Sequence, residues 1–210
     1  MKMDAVFDST RRYRYLLSRI WDDSLPKVLY VMLNPSTADN SEEDRTSSQC
    51  LYFAKKFGYG SLEVVNLYAL ISTDPKQLKF EFDPIGTEND KFILEAAGRA
   101  KTIVVAWGEK HFINQRHNKV ARLLTSEGHQ LHCLGIAKSE HPRHPSRMSH
   151  SIESLTLYST EEYLRKLHTP PKVIAIVPTV TDRKLKSREG YDSNTGSDYH
   201  FHKDVMDDEY

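Results

Sequence analysis

Four short apolar runs in this chain each stop on a polar or otherwise uncommon residue, and this recurrence constrains the fold more than any other feature. KVLYVMLNPST, residues 27–37, carries a run from Val28 to Leu33 that ends on Asn34-Pro35-Ser36. LEVVNLYAL stops at Asn66, TIVVAWG stops at Trp107-Gly108, and LHCLG leads into the loop HPRHPSRMS. Short runs rich in β-branched residues and bounded by turn signals read as buried strands. In open α/β sheets, ligands bind outside the carboxyl ends of the strands. The pattern predicts one sheet with one site on its carboxyl edge.

The segments between these runs have helical character. Residues 45–57 predict a helix with Asp44 or Thr46 near its N-cap and Gly58 beyond its end. Further helices are expected at 87–99 and at 112–126, the latter stopped by Gly128. Strands at 28–33, 62–66, 102–107 and 130–134 separated by helices imply crossover units, hence a mainly parallel four-stranded core in an α/β domain. Residues 12–20 read as an edge strand or short helix turned by Asp22 to Pro26. A last helix is expected at 160–167, and KVIAIVP, 172–178, suits an edge strand. The expected organisation is one domain over 1–180 followed by a polar, acidic, disordered tail over 181–210.

Composition excludes several classes. With 39% hydrophobic and 28% charged residues the chain has the balance of a soluble globular protein. No apolar run approaches the roughly 20 residues that span a bilayer, and MKMDAVFDSTRRYRY lacks the apolar stretch of a signal peptide. Two cysteines, Cys50 and Cys133, make neither a disulfide framework nor a thiolate cluster, so a cytoplasmic setting is expected. Net charge is zero, but six acidic residues against Lys203 give 191–210 a charge of −5, leaving +5 on the rest. That mildly basic remainder permits nucleic-acid binding without requiring it.

Each strand-end motif has an ordinary reading. Asn34-Pro35 is a common turn pair, Asn66 can satisfy backbone groups, Trp107 suits a core, and His144-Pro145-Ser146 makes a rigid loop. His141 with His144, and His129 with His132, have metal-pair spacing but no convincing third ligand, so no metal and no cofactor is expected.

The order LNPS, VVNLYAL, VVAWG and HPSRMS, spread over 33–149, resembles the uracil-DNA glycosylase superfamily. That family runs from Asp-Pro or Asn-Pro, through a strand ending in Asn and a strand with Trp-Gly or Leu-Gly, to His-Pro-Ser. The Asn before Pro is similar to the mismatch-specific branch. YRYLLSRIW and LNPSTADN also resemble a bacterial and phage branch with this fold. The resemblance implies a three-layer α/β/α sandwich and a monomeric, metal-free DNA glycosylase that flips a base from DNA and hydrolyses its glycosidic bond. It further implies that Asn34 positions water, His144 stabilises the departing base, Asn66 reads it, and Pro35 and Trp107 wall the pocket. Arg143, Ser146, Arg147 and Met148 would engage DNA, Met148 as an apolar wedge filling the vacated stack.

An Asn orients water but cannot accept its proton as a carboxylate would, so Asp39 or Asp44 is a candidate helper. Both also suit solvated loop or helix-cap positions. Strict uracil enzymes carry a bulky aromatic where this chain has Ser36, so the pocket is expected to admit thymine or a larger modified pyrimidine, such as glucosylated hydroxymethylcytosine of phage DNA. No Lys stands at the matched strand ends to form a Schiff base, which implies a monofunctional enzyme, Lys138 being the nearest exception. Uracil or thymine mismatch repair, hydrolysis of free nucleosides, and non-catalytic nucleic-acid binding are the rival readings.

Overall fold

The computed structural model describes residues 1–36, 45–109 and 113–158. Strands β1 (Lys2–Phe7), β2 (Arg14–Ile20), β3 (Lys27–Met32), β4 (Ser61–Asn66), β5 (Thr102–Val105), β6 (Leu131–Cys133) and β7 (Thr156–Leu157) form one mixed sheet in the order β1-β2-β4-β3-β5-β6-β7. β4, β3, β5 and β6 run parallel to one another, and β1, β2 and β7 pair antiparallel at the flanks. Helices α1 (Arg45–Lys56), α2 (Asn89–Arg99) and α3 (Arg116–Ser126) supply the crossovers. The class is α/β.

Alternation along the strands sorts side chains onto two faces. Val28, Tyr30, Met32, Leu62, Val64 and Val104 pack with Cys50, Phe53 and Ala54 of α1. Leu29, Val31, Leu33, Val65, Ile103, Val105 and Trp107 pack with Ile93, Ala96 and Ala97 of α2 and with Val120, Ala121 and Leu124 of α3. From β3 the chain crosses through α1 to β4 on one side, then through α2 to β5 on the other side of β3. The strand order thus reverses between β3 and β5, and the crevice at such a switch point is where α/β sheets hold ligands.

Helix ends follow local rules. After α1, Gly58 takes φ +81°; its N–H bonds the Lys55 carbonyl and that of Tyr59 bonds Ala54. Gly128 and His129 close α3 in the same way, on the Thr125 and Leu124 carbonyls. Both are Schellman ends, which satisfy carbonyls that the helix itself leaves bare. Glu63 is buried in β4 because Lys27 at 2.6 Å and Arg99 at 3.0 Å neutralise it.

Several expectations need correction. Residues 14–20 are a strand, but β1 covers its outer side, so the sheet edge is β1. α3 begins at Arg116 rather than 112, because Asn114 and Gln115 adopt positive φ of 48° and 52°, which no right-handed helix contains. β7 and two 3-10 turns, Pro75–Phe80 and Pro145–Arg147, went unforeseen. The helix expected at 160–167, the strand at 172–178, the tail at 181–210, and Asp39 and Asp44 lie outside the described residues.

Candidate functional site

A cleft of about 660 Å³ lies at the switch point, a size usual for small-ligand sites. Leu33 from the end of β3, Trp107 and Gly108 from the end of β5, and the segments after β6 surround it. Its polar lining is Glu109, Lys138, Arg143, His144, Ser146 and Arg147. The sheet brings β5 and β6 side by side, and the loop after β6 returns over their carboxyl ends through the Ile136–Pro142 bridge and the Arg143 N–H bond to the Gly135 carbonyl. Gly108 has φ +83°, a conformation that favours glycine, and a Cβ there would meet the His144 Cβ at 3.6 Å. The Trp-Gly and His-Pro-Ser segments are therefore in contact.

His144 caps the 3-10 turn Pro145–Arg147. Its Nδ1 accepts from the Ser146 N–H at 3.4 Å and meets Ser146 Oγ at 2.8 Å. An accepting Nδ1 places the hydrogen of the neutral ring on Nε2, so the imidazole offers an N–H donor. Ser146 orients that ring. Arg143 and Arg147 are exposed on the cleft rim. Trp107 is 1% exposed, edge-on to Tyr158, and its indole N–H has no acceptor among the described residues. A buried donor left bare is costly.

Asn34 and Asn66 occupy different ground. With Arg14, Ser36, Thr46 and Ser47 they line a small cavity of about 70 Å³ on the α1 face. That is the liquid volume of roughly two waters. The cause is strand alternation: Met32 and Asn34 share one face of β3, whereas Leu33 takes the other and reaches the large cleft. The Asn34 amide donates to the Ser72 carbonyl at 2.8 Å and to that of Pro35 at 3.0 Å, pinning the strand-end turn to the loop after β4. Buried Pro35 also accepts from the Ser72 N–H. Asn66 is 2% exposed. Its carbonyl and that of Leu67 receive the Asn89 amide at 3.0 and 3.1 Å, and Arg116 Nε adds a 2.9 Å bond to Leu67.

Met148 is half-buried and packs against the α1-side core, its Cε methyl close enough to Gly135 that a Cβ there would come within 3.2 Å. Sequence reasoning missed Glu109 and Pro75 as cleft residues, and Lys138, noted only as an exception, also lines the cleft. Glu109 carried one usable signal, its place directly after the Trp-Gly strand end.

A buried histidine pair adjoins this loop. The rings of His117 on α3 and His141 stand 5.1 Å apart, edge to face. Burial lowers the His117 pKa from 6.5 to about 4, and His141 beside it adds to the effect. Burial also lowers His141, against the opposing pull of Glu109 and Glu140. No group of three or more His, Cys, Asp or Glu among the described residues could hold a metal ion, and no described helix is long and apolar enough to cross a membrane.

No curated protein and no solved structure matches this chain. Residues 14–146, from the start of β2 to the His-Pro-Ser turn, match the family described as "Protein of unknown function (DUF1643)", and the chain belongs to that family.

Proposed function

We propose that this chain is a monofunctional DNA glycosylase on a uracil-DNA-glycosylase-like α/β/α scaffold, acting as a cytoplasmic monomer on modified pyrimidines. One observation carries the reading. The switch-point cleft joins a positioned histidine donor, His144, to a rim of Arg143, Arg147 and Lys138. Cleaving a glycosidic bond puts negative charge on the departing base, and an N–H donor aimed at that charge is a large source of catalysis. Arginines on the rim suit the phosphates on either side of a flipped nucleotide. Removal of modified bases from phage DNA is the role this chemistry fits, with mismatch repair as the neighbouring one.

The test is incubation with phage genomic DNAs of differing base modification, followed by alkali. Strand breaks at new abasic sites are expected with at least one modified DNA. Borohydride reduction during the reaction should trap no protein–DNA adduct, although Lys138 lines the cleft. Intact DNA throughout would remove the reading. A second reading, hydrolysis of free nucleosides or nucleotides, is favoured by the inward packing of Met148. Release of base from a nucleoside, with duplex DNA untouched, would select it.

A further inference from the structure

We propose that Glu109, rather than Asp39 or Asp44, is the catalytic base that activates water in this cleft. The inference rests on the glycosidic reading given above and names the group that reading lacks. Three observations lead to it. Asn34 lines the other cavity, and its amide is committed to the carbonyls of Ser72 and Pro35. Glu109 contributes the cleft's sole carboxylate among the described lining residues. Its backbone follows Gly108, which lies against His144, so the acid and the imidazole face one volume.

The carboxylate is also held. Ser139 Oγ donates to Glu109 Oε1 at 2.5 Å, tying the end of β5 to the loop after β6. A carboxylate accepts about four hydrogen bonds, so this one leaves capacity for a water. Lys138, beside Ser139, lines the same cleft.

The step balances without a further reactant. Glu109 takes a proton from water as the water oxygen bonds to C1′ of the sugar. The bond from C1′ to the base nitrogen breaks, and its electron pair leaves with the base. The His144 Nε2–H stabilises that charge. The base then takes up a proton, and Glu109 releases its own to solvent. The same base serves cleavage of a free nucleoside, so the role belongs to the cleft rather than to duplex DNA alone.

The experiment compares single-turnover base release by the native chain, Glu109→Gln, Asp39→Asn and Asp44→Asn across pH. The probes are duplexes carrying one uracil or one glucosylated hydroxymethylcytosine, with the corresponding free nucleosides in parallel. Glu109→Gln preserves the shape of an exposed side chain, and circular dichroism checks its fold. Loss of about 10²-fold or more in rate, the scale of general-base catalysis, is expected for Glu109→Gln, together with loss of the acid limb of the pH profile. Both aspartate variants should keep that limb. Glu109→Gln with native rate and profile, or an acid limb abolished in an aspartate variant instead, would overturn Glu109 while leaving the glycosidic reading intact. Failure of the native chain on every probe would remove both.

Discussion

His144 and Asn34 were expected to serve one reaction, yet their hydrogen bonds differ in kind. His144 Nδ1 accepts from the Ser146 N–H of its own turn, whereas the Asn34 amide donates to backbone carbonyls of two segments. His144→Ala should lower base release by roughly 10²-fold, the scale of losing one transition-state donor, with little change in thermal midpoint. Asn34→Ala should chiefly lower stability, by about 1 kcal/mol for the lost bond to the Ser72 carbonyl, since that of Pro35 keeps the Ser72 N–H. Paired single-turnover and denaturant measurements separate the two. A stable but inactive Asn34→Ala would restore it to catalysis. Ser36 tests the pocket at the same scale. Ser36→Tyr puts a ring into a space of about 70 Å³, and overpacking typically costs about 1–3 kcal/mol. The variant should lose stability by that amount while its release of uracil and of a glucosylated pyrimidine changes in equal proportion. A changed preference between the two would return Ser36 to the reacting pocket. The place of Asn34 and Ser36 just past the end of β3 was legible in sequence; the partition between two cavities was not, since it depends on which face each side chain takes.

At the scale of elements, legibility followed the strength of the local signal. β3, β4 and β5 are continuous apolar runs closed by turn residues, so their positions and ends could be read directly. β1 is half-exposed, and it pairs with β2 through a hairpin whose register shifts at Phe7, so its pattern is weak. β7 consists of two exposed residues. Glu109 sits in a loop, and its bond from Ser139 joins segments that follow β5 and β6, which are neighbours in the sheet but not in sequence. The β4 end shows how an element secures its own site. Asn89, fully buried at the start of α2, supplies both amide hydrogens to the Asn66 and Leu67 carbonyls. Asn89→Ala should therefore cost about 1–3 kcal/mol, the penalty for one buried carbonyl losing its side-chain donor, since Arg116 still serves that of Leu67. Urea unfolding measures it. A loss within 0.5 kcal/mol would mean that Arg116 alone carries the junction.

For the molecule as a whole, the His117–His141 pair predicts a loss of stability in acid. His117 lies on α3 and His141 in the loop that leads to His144, so the pair joins the α3 layer to the segment carrying half of the cleft. In the folded chain His117 takes a proton only near pH 4, against 6.5 for an unburied ring. Between those values the unfolded chain binds the proton and the folded chain does not, so stability must fall as pH drops from about 6.5 toward 4. His141 is lowered as well and acts in the same direction, while Glu109 and Glu140 soften its response. Protonating both rings at 5.1 Å would also set two positive charges against each other across the junction. Urea midpoints measured at pH 7.5, 6.5, 5.5 and 4.5 should decline most steeply below 6.5. His117→Asn lacks the titrating ring, so its midpoint should depend less on pH even if it starts lower. A pH slope unchanged by the substitution would assign the acid sensitivity to other groups. Because the pair lies beside the cleft loop, amide exchange at 136–148 should quicken at pH 5 before exchange in β3 or β4 does. Acid would then release the His144 arm while the sheet beneath it stays folded.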